Sequence, residues 1–272
     1  MGLFNWANVR NMKEGKGVKK RKEPAHVVFF GVLQRKFWRF ITLNFIYLLA
    51  GLPTWIFMGA GGLSLFYFHL GRTDFNMFFP VMICCIPLIA LVSGPATLGV
   101  SYVLRNFARE KHAWILADMF ETASKNYVHG MLIGLINSVV AFALIYAYLY
   151  YGIMAQSLSI MNYILIILGF VFAMVRSYIF PMAVSYKLRL GNLYRYSLAL
   201  SIMKFPQNLI LQIFSLACIL VVFQYPSLGI VISAFGGISL LGFLNVFYTD
   251  RVLLQNMDEE NEKIYTEREN TK

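Results

Sequence analysis

Four stretches of this chain contain no Asp, Glu, Lys or Arg: residues 40–71, 75–104, 126–175 and 205–249. They are 32, 30, 50 and 45 residues long. A helix of about 20 apolar residues is enough to cross a bilayer. The first two blocks therefore hold one span each, and the last two are long enough for two. Turn-forming runs divide the long blocks, one from Tyr150-Tyr151-Gly152 through Gln156-Ser157-Leu158-Ser159 and one at Gln224-Tyr225-Pro226-Ser227. Six spans are expected: Phe40–Phe66, Phe78–Leu104, Met131–Tyr151, Ile160–Met182, Leu209–Phe223 and Leu228–Tyr248. A membrane barrel would need alternating polar and apolar positions. These segments are apolar all round, so helices that satisfy their own backbone groups are the expected form. The expected fold class is all-α, a polytopic transmembrane helical bundle. Only 14% of the chain is charged, against about 25% in soluble domains.

The basic residues orient the bundle. Segment 1–39 holds ten Lys and Arg, loops 105–125 and 187–204 hold four each, and four more follow residue 250. The opposite side has Arg72, beside Asp74, and nothing else. Because Lys and Arg are retained on the cytoplasmic side, both termini are expected inside, with short outer loops. The organisation expected is a basic, poorly ordered N-terminal segment 1–30, a membrane domain 31–250 and a charged cytoplasmic tail 251–272. The net charge of +11 follows from this topology. It does not imply nucleic-acid binding, since the basic residues lie along membrane ends.

The first apolar block is too long for a signal-peptide core and reads as a retained span. Met1-Gly2-Leu3-Phe4-Asn5-Trp6 lacks the Ser or Thr of a myristoylation signal. Cys84, Cys85 and Cys218 all fall in expected spans, with no metal-like spacing. The run Lys16 to Lys22 is either a solvated basic segment or a contact for anionic lipid headgroups of the inner leaflet. Arg35-Lys36-Phe37-Trp38-Arg39 alternates cations with aromatics, as an interfacial anchor requires.

Pro53 and Gly59-Ala60-Gly61-Gly62 mark the first span, and Pro80, Pro87 and Pro95 the second. These read as kinks and close helix contacts, with a ligand-exposing break as the alternative. From Ala113 to Tyr127, Leu116, Phe120, Ala123 and Tyr127 share one helical face, joined by Ile115 and Met119, while Asp118, Glu121 and Lys125 share the other. This segment is expected to lie on the membrane, on its own protein or on a partner subunit.

A short repeat is visible. Ser101-Tyr102-Val103-Leu104-Arg105 and Ser185-Tyr186-Lys187-Leu188-Arg189 each end an inward crossing. Residues 78–151 and 160–223 thus read as two parallel copies of one hairpin.

The run SGPATLGVSYVLRNFAREKHAWILADMFETASKNY at 93–127 and the run RKFWRFITLNFIYLLAGLP at 35–53 resemble the YesL family of bacterial membrane proteins, which contain a domain of unknown function. The resemblance covers about residues 28–250. It implies a multi-span bacterial plasma-membrane protein, in a family often encoded near carbohydrate uptake systems. It supplies no catalytic residues.

No GxSxG, HExxH, P-loop or CxxC occurs, and His26, His69, His112 and His129 are scattered. The carboxylates fall in termini and loops. The chain therefore reads as a non-enzyme with no cofactor and no metal. Arg176 is the one ionisable residue within an expected span. Such a residue either snorkels to the surface or binds an anionic ligand or a partner's carboxylate. Gly94, Pro95 and Thr97 form either a packed kink or a ligand-facing hinge. Arg105, Arg109 and Arg189 are candidates for lipid phosphate or partner binding. The expected role is an accessory or regulatory component of carbohydrate uptake, with an ABC transporter or sensor subunit as partner. A small transporter or channel, acting as a homo-oligomer, is the alternative, and a membrane enzyme the third reading.

Overall fold

The computed structural model describes residues 24–53, 75–151, 159–186 and 188–270, and their side chains except 75–89, 159, 223, 226, 230 and 257–270. No strand occurs among the described residues. The helices are α1 (Ala25–Arg35), α2 (Phe37–Ala50), α3 (Phe75–Ala108), α4 (Ile115–Lys125), α5 (Tyr127–Leu149), α6 (Ser159–Ser185), α7 (Leu190–Met203), α8 (Phe205–Gln224), α9 (Pro226–Ile232) and α10 (Ile238–Asn270). A π-turn, Ser233–Gly237, joins α9 to α10. Among the described residues, four stretches are long and apolar enough to cross a membrane: Tyr127–Leu149, Ile160–Ser185, Phe205–Val222 and Ser227–Asn256. The second expected span lies within α3. Most of the segment expected to be disordered, the Gly59–Gly62 stretch, the Arg72 loop and the turn at 152–158 lie outside the described residues.

One local device recurs three times. A short helix (α1, α4 or α7) meets a longer apolar one (α2, α5 or α8) across a single residue. That residue is Lys36, Asn126 or Lys204, with φ/ψ of −112/16, −115/25 and −108/31. The conformation lies near the sparsely used bridge region between helix and strand. Hydrogen bonds continue on both sides of the joint: Lys36 N–H donates to Val32 O, and Phe40 N–H donates to Lys36 O. The Asn126 and Lys204 joints repeat that pattern. Each joint is thus a bend without a loop. An aromatic follows each one: Phe37, Tyr127 and Phe205.

Glycine sets the closest crossing. A methyl group on Gly94 of α3 would collide with the carbonyl of Gly130 on α5. One on Gly130 would stand 2.9 Å from the Pro95 Cα, and one on Gly134 3.0 Å from the Gly94 Cα. Gly130 and Gly134 are four residues apart, the small-xxx-small spacing that lets apolar helices touch backbone to backbone. Gly99 admits α4 in the same way, since a methyl there would lie 2.5 Å from Met119 O.

Two apolar cores result. One joins Val32, Phe40, Leu43, Phe107, Met119, Phe243 and Phe247. The other joins Leu98, Ile133, Tyr178, Met182, Leu193, Leu200 and Leu253. Helices α3 and α10 contribute to both, so they form the spine of the bundle.

The spine helix α10 begins at a true break. Gly236 has φ 122 and ψ 1, a conformation open to glycine and strained for other residues. The backbone groups freed there are not left bare. Buried Asn44 on α2 donates its amide to the carbonyls of Ser233 and Ala234, at 2.8 and 2.9 Å. Its oxygen accepts the Ser239 N–H at 3.1 Å. Ser239 Oγ in turn donates to Phe40 O at 2.9 Å. Backbone breaks at membrane depth need such protein partners.

Candidate functional site

The basic segments meet at one end of the bundle. Arg35 at the end of α1 pairs with Glu110 after α3. Lys36 Nζ donates to Lys111 O at 3.0 Å and lies 4.6 Å from the centre of the Phe107 ring. Burial there, with Arg39 nearby, lowers the Lys36 pKa from its usual value. Arg109 and Asp250 form a two-pronged pair, Nε to Oδ2 at 2.9 Å and Nη2 to Oδ1 at 2.7 Å. Asp250 is buried. This corrects the expectation that carboxylates lie only in termini and loops: α10 runs past the expected span end at Tyr248 as one helix and carries Asp250 into the core. A bidentate guanidinium–carboxylate contact is among the stronger hydrogen-bonded pairs.

Arg105 links the two copies of the SYxLR sequence. Its Nη1 donates to Val184 O at 2.6 Å and to Ser185 Oγ at 3.2 Å, and its guanidinium lies 4.8 Å from the Tyr102 ring centre. Ser185 opens the second SYxLR. The cation thus sits on the terminal carbonyls of α6, where the helix dipole favours positive charge. The Arg105 Nε has no partner among the described residues.

A polar ladder rises from this end between α6, α8 and α10. Tyr248 Oη donates to Gln207 Oε1 at 3.1 Å. Tyr178 Oη donates to Asn208 Oδ1 at 2.7 Å. Above them, Gln212 Nε2 donates to Ser177 Oγ at 2.8 Å, and Ser177 Oγ donates to Asn245 Oδ1 at 3.2 Å. Ser215, one turn further, has a buried hydroxyl with no partner among the described residues. Asn208, Gln212 and Ser215 follow the i, i+4, i+7 spacing of one helical face, climbing about 10 Å at 1.5 Å per residue. A separate rung joins α7 to α5, where Tyr194 Oη donates to Asn137 Oδ1 at 3.3 Å. Burial pushes the Tyr194 hydroxyl up to about 12, so the phenol stays a neutral donor.

The sequence candidates separate by position. Arg105 and Arg109 belong to the convergence and are engaged within it. Gly94 and Pro95 sit at the α3–α5 crossing. Thr97 Oγ1 donates to Ser93 O at 2.6 Å and lies 3.2 Å from Tyr47 Oη, tying α3 to α2. Arg176 is exposed on α6, and Arg189 is exposed where α7 begins. Neither joins the cluster. Among the described residues, no group of three His, Cys, Asp or Glu stands close enough to hold a metal ion.

Asn44, Asp250 and the ladder on α8 were missed by the sequence reading. The i, i+4, i+7 spacing of Asn208, Gln212 and Ser215 was the available signal for the last.

A family model described as "Protein of unknown function, DUF624" matches residues 73–148. That interval holds α3, α4 and nearly all of α5, the unit closed by the glycine crossing. No curated protein and no solved structure matches the chain.

Proposed function

We propose that this chain is a non-enzymatic accessory or regulatory component of the bacterial plasma membrane, acting by contact with a transport or sensor subunit. One observation carries the reading. The charged groups nearest the bundle interior, Arg105, Arg109 and Asp250, are committed to bonds between helices. Groups held this way fix a shape and are poorly placed to turn over a substrate. Six spans with both termini in the cytoplasm fit the meeting of Arg35, Arg109, Ser185 and Asp250 at one end. The association with carbohydrate uptake rests on the resemblance of residues 35–53 and 93–127 to the YesL family.

Affinity purification of the full chain from native membranes in mild detergent tests this. The expected result is a carbohydrate ABC transporter or sensor subunit recovered in constant proportion. Recovery of the chain with no stable partner would contradict it.

A second reading, a small-solute transporter or channel acting as an oligomer, is favoured by the α8 ladder, since polar side chains at membrane depth often line substrate routes. Liposomes holding this chain alone discriminate the two. The accessory reading expects sugar and ion flux equal to protein-free liposomes, and saturable flux would favour the transporter.

A further inference from the structure

The three short helices α1, α4 and α7 each bury one face against the bundle, through Val32, Met119, and Leu193 with Leu200. Each also leaves large apolar side chains uncovered. These are Phe30 on α1, Leu116 and Phe120 on α4, and Ile202 and Met203 on α7. Trp38, 78% exposed, and Trp114, 71% exposed, flank the first two. The aromatics after the joints, Phe37, Tyr127 and Phe205, are exposed to nearly the same degree, 44%, 43% and 46%.

Two observations say what covers these faces. The first is continuity. Across the Asn126 and Lys204 joints, the exposed faces run directly into helices fit to cross a membrane, whose most apolar windows are only 17% and 11% buried in the chain. Whatever medium surrounds those spans also meets the short helices at their joints. The second is charge. Among the described side chains of the short helices and their flanks, the carboxylates are already engaged: Glu110 pairs with Arg35, Glu121 pairs with Lys125, and Asp118 accepts the Trp114 N–H. Arg39, Arg189 and Arg195 are exposed and Lys204 half-exposed, and none has a hydrogen bond or ion pair with the described residues. Among the described residues of these helices, the surface left over is apolar and aromatic with a cationic excess, which matches the headgroup layer of an anionic leaflet.

We infer that α1, α4 and α7 form a leaflet-selective collar. They lie at headgroup depth around the basic end, with their exposed aromatic and aliphatic side chains among the upper acyl chains. Arg39, Arg189, Arg195 and Lys204 engage the phosphates of anionic phospholipid. The collar depends on membrane insertion, and it stands whether or not the partner proposed above exists.

The test uses the full chain reconstituted in nanodiscs of phosphatidylcholine, with or without phosphatidylglycerol. With Trp6→Phe and Trp55→Phe, the remaining fluorescence reports on Trp38 and Trp114. Strong quenching by lipid brominated near the headgroup end of its acyl chains is expected, with weak quenching by aqueous acrylamide. Phosphatidylglycerol should be enriched around the unmodified chain. Changing Arg39, Arg189, Arg195 and Lys204 together to Gln should weaken its binding about fivefold per cation removed. Tryptophans open to acrylamide and shielded from the brominated lipid would overturn the collar. Equal affinity for the two lipids in the unmodified chain, a comparison that needs no cation variant, would overturn its anionic specificity.

Discussion

Single residues in this bundle are expensive to change where they satisfy a partner that has no alternative. Asp250 is the sharpest case. Removing one member of a buried ion pair leaves the other charge unanswered, at about 3 kcal/mol or more. Arg109 keeps a quarter of its side chain exposed, so water takes up part of its charge and Asp250→Ala should cost slightly less than that, about 2–3 kcal/mol. Thermal unfolding in detergent should show that loss. Arg109→Ala/Asp250→Ala together should cost clearly less than the two single changes added. Strict additivity would mean that the pair does not couple. Gly94 follows from sterics: Gly94→Val forces a branched side chain onto the Gly130 carbonyl, a cost of about 3 kcal/mol by overpacking. A Val variant as stable as the parent would rule out the close crossing. The sequence pointed to Gly94 and Pro95 but left open a hinge or a contact. The wall they pack against, Gly130 and Gly134, stands more than thirty residues away in the chain. Asp250 was illegible for a related reason. It lies one residue beyond a charge-free block, and counting charges cannot tell a helix that stops there from one that continues.

Elements carry the recurrent logic. The apolar blocks announced α5, α6 and α8 because a bilayer-length run has few other ways to satisfy its backbone. The helical periodicity of 113–127 announced α4 but not the division of its apolar face, where Met119 is buried against the bundle while Leu116 and Phe120 are exposed. The joints could not be read, because lysine at two of them and asparagine at the third share a backbone conformation that no single residue type marks. The break before α10 had a readable half and a hidden half. Gly236-Gly237 permits it, but Asn44, nearly two hundred residues away, holds it. Gly236→Ala should cost about 1–3 kcal/mol through backbone strain, because nothing lies closer than 3.8 Å to the added methyl. Asn44→Ala should cost about 1–3 kcal/mol by stranding buried carbonyls. Denaturation of each variant in detergent checks both. A Gly236→Ala protein unchanged in stability would mean that the positive φ is absent.

At the scale of the whole molecule, four basic segments that are remote in sequence share one end. Arg35–Glu110, Arg109–Asp250 and Arg105–Ser185 are the links. The glycine crossing and the spine helices pack the elements that carry those links. The measurement that tests this most directly is cysteine labelling by side. With the native cysteines replaced, single cysteines at Lys111, Arg195 and Asn256 are exposed to an impermeant maleimide on intact cells and again after permeabilisation. All three should stay unlabelled on intact cells and label only once the membrane is opened, while a cysteine at Asp74 labels from outside. Labelling of Lys111, Arg195 and Asn256 split between the two faces would contradict the account.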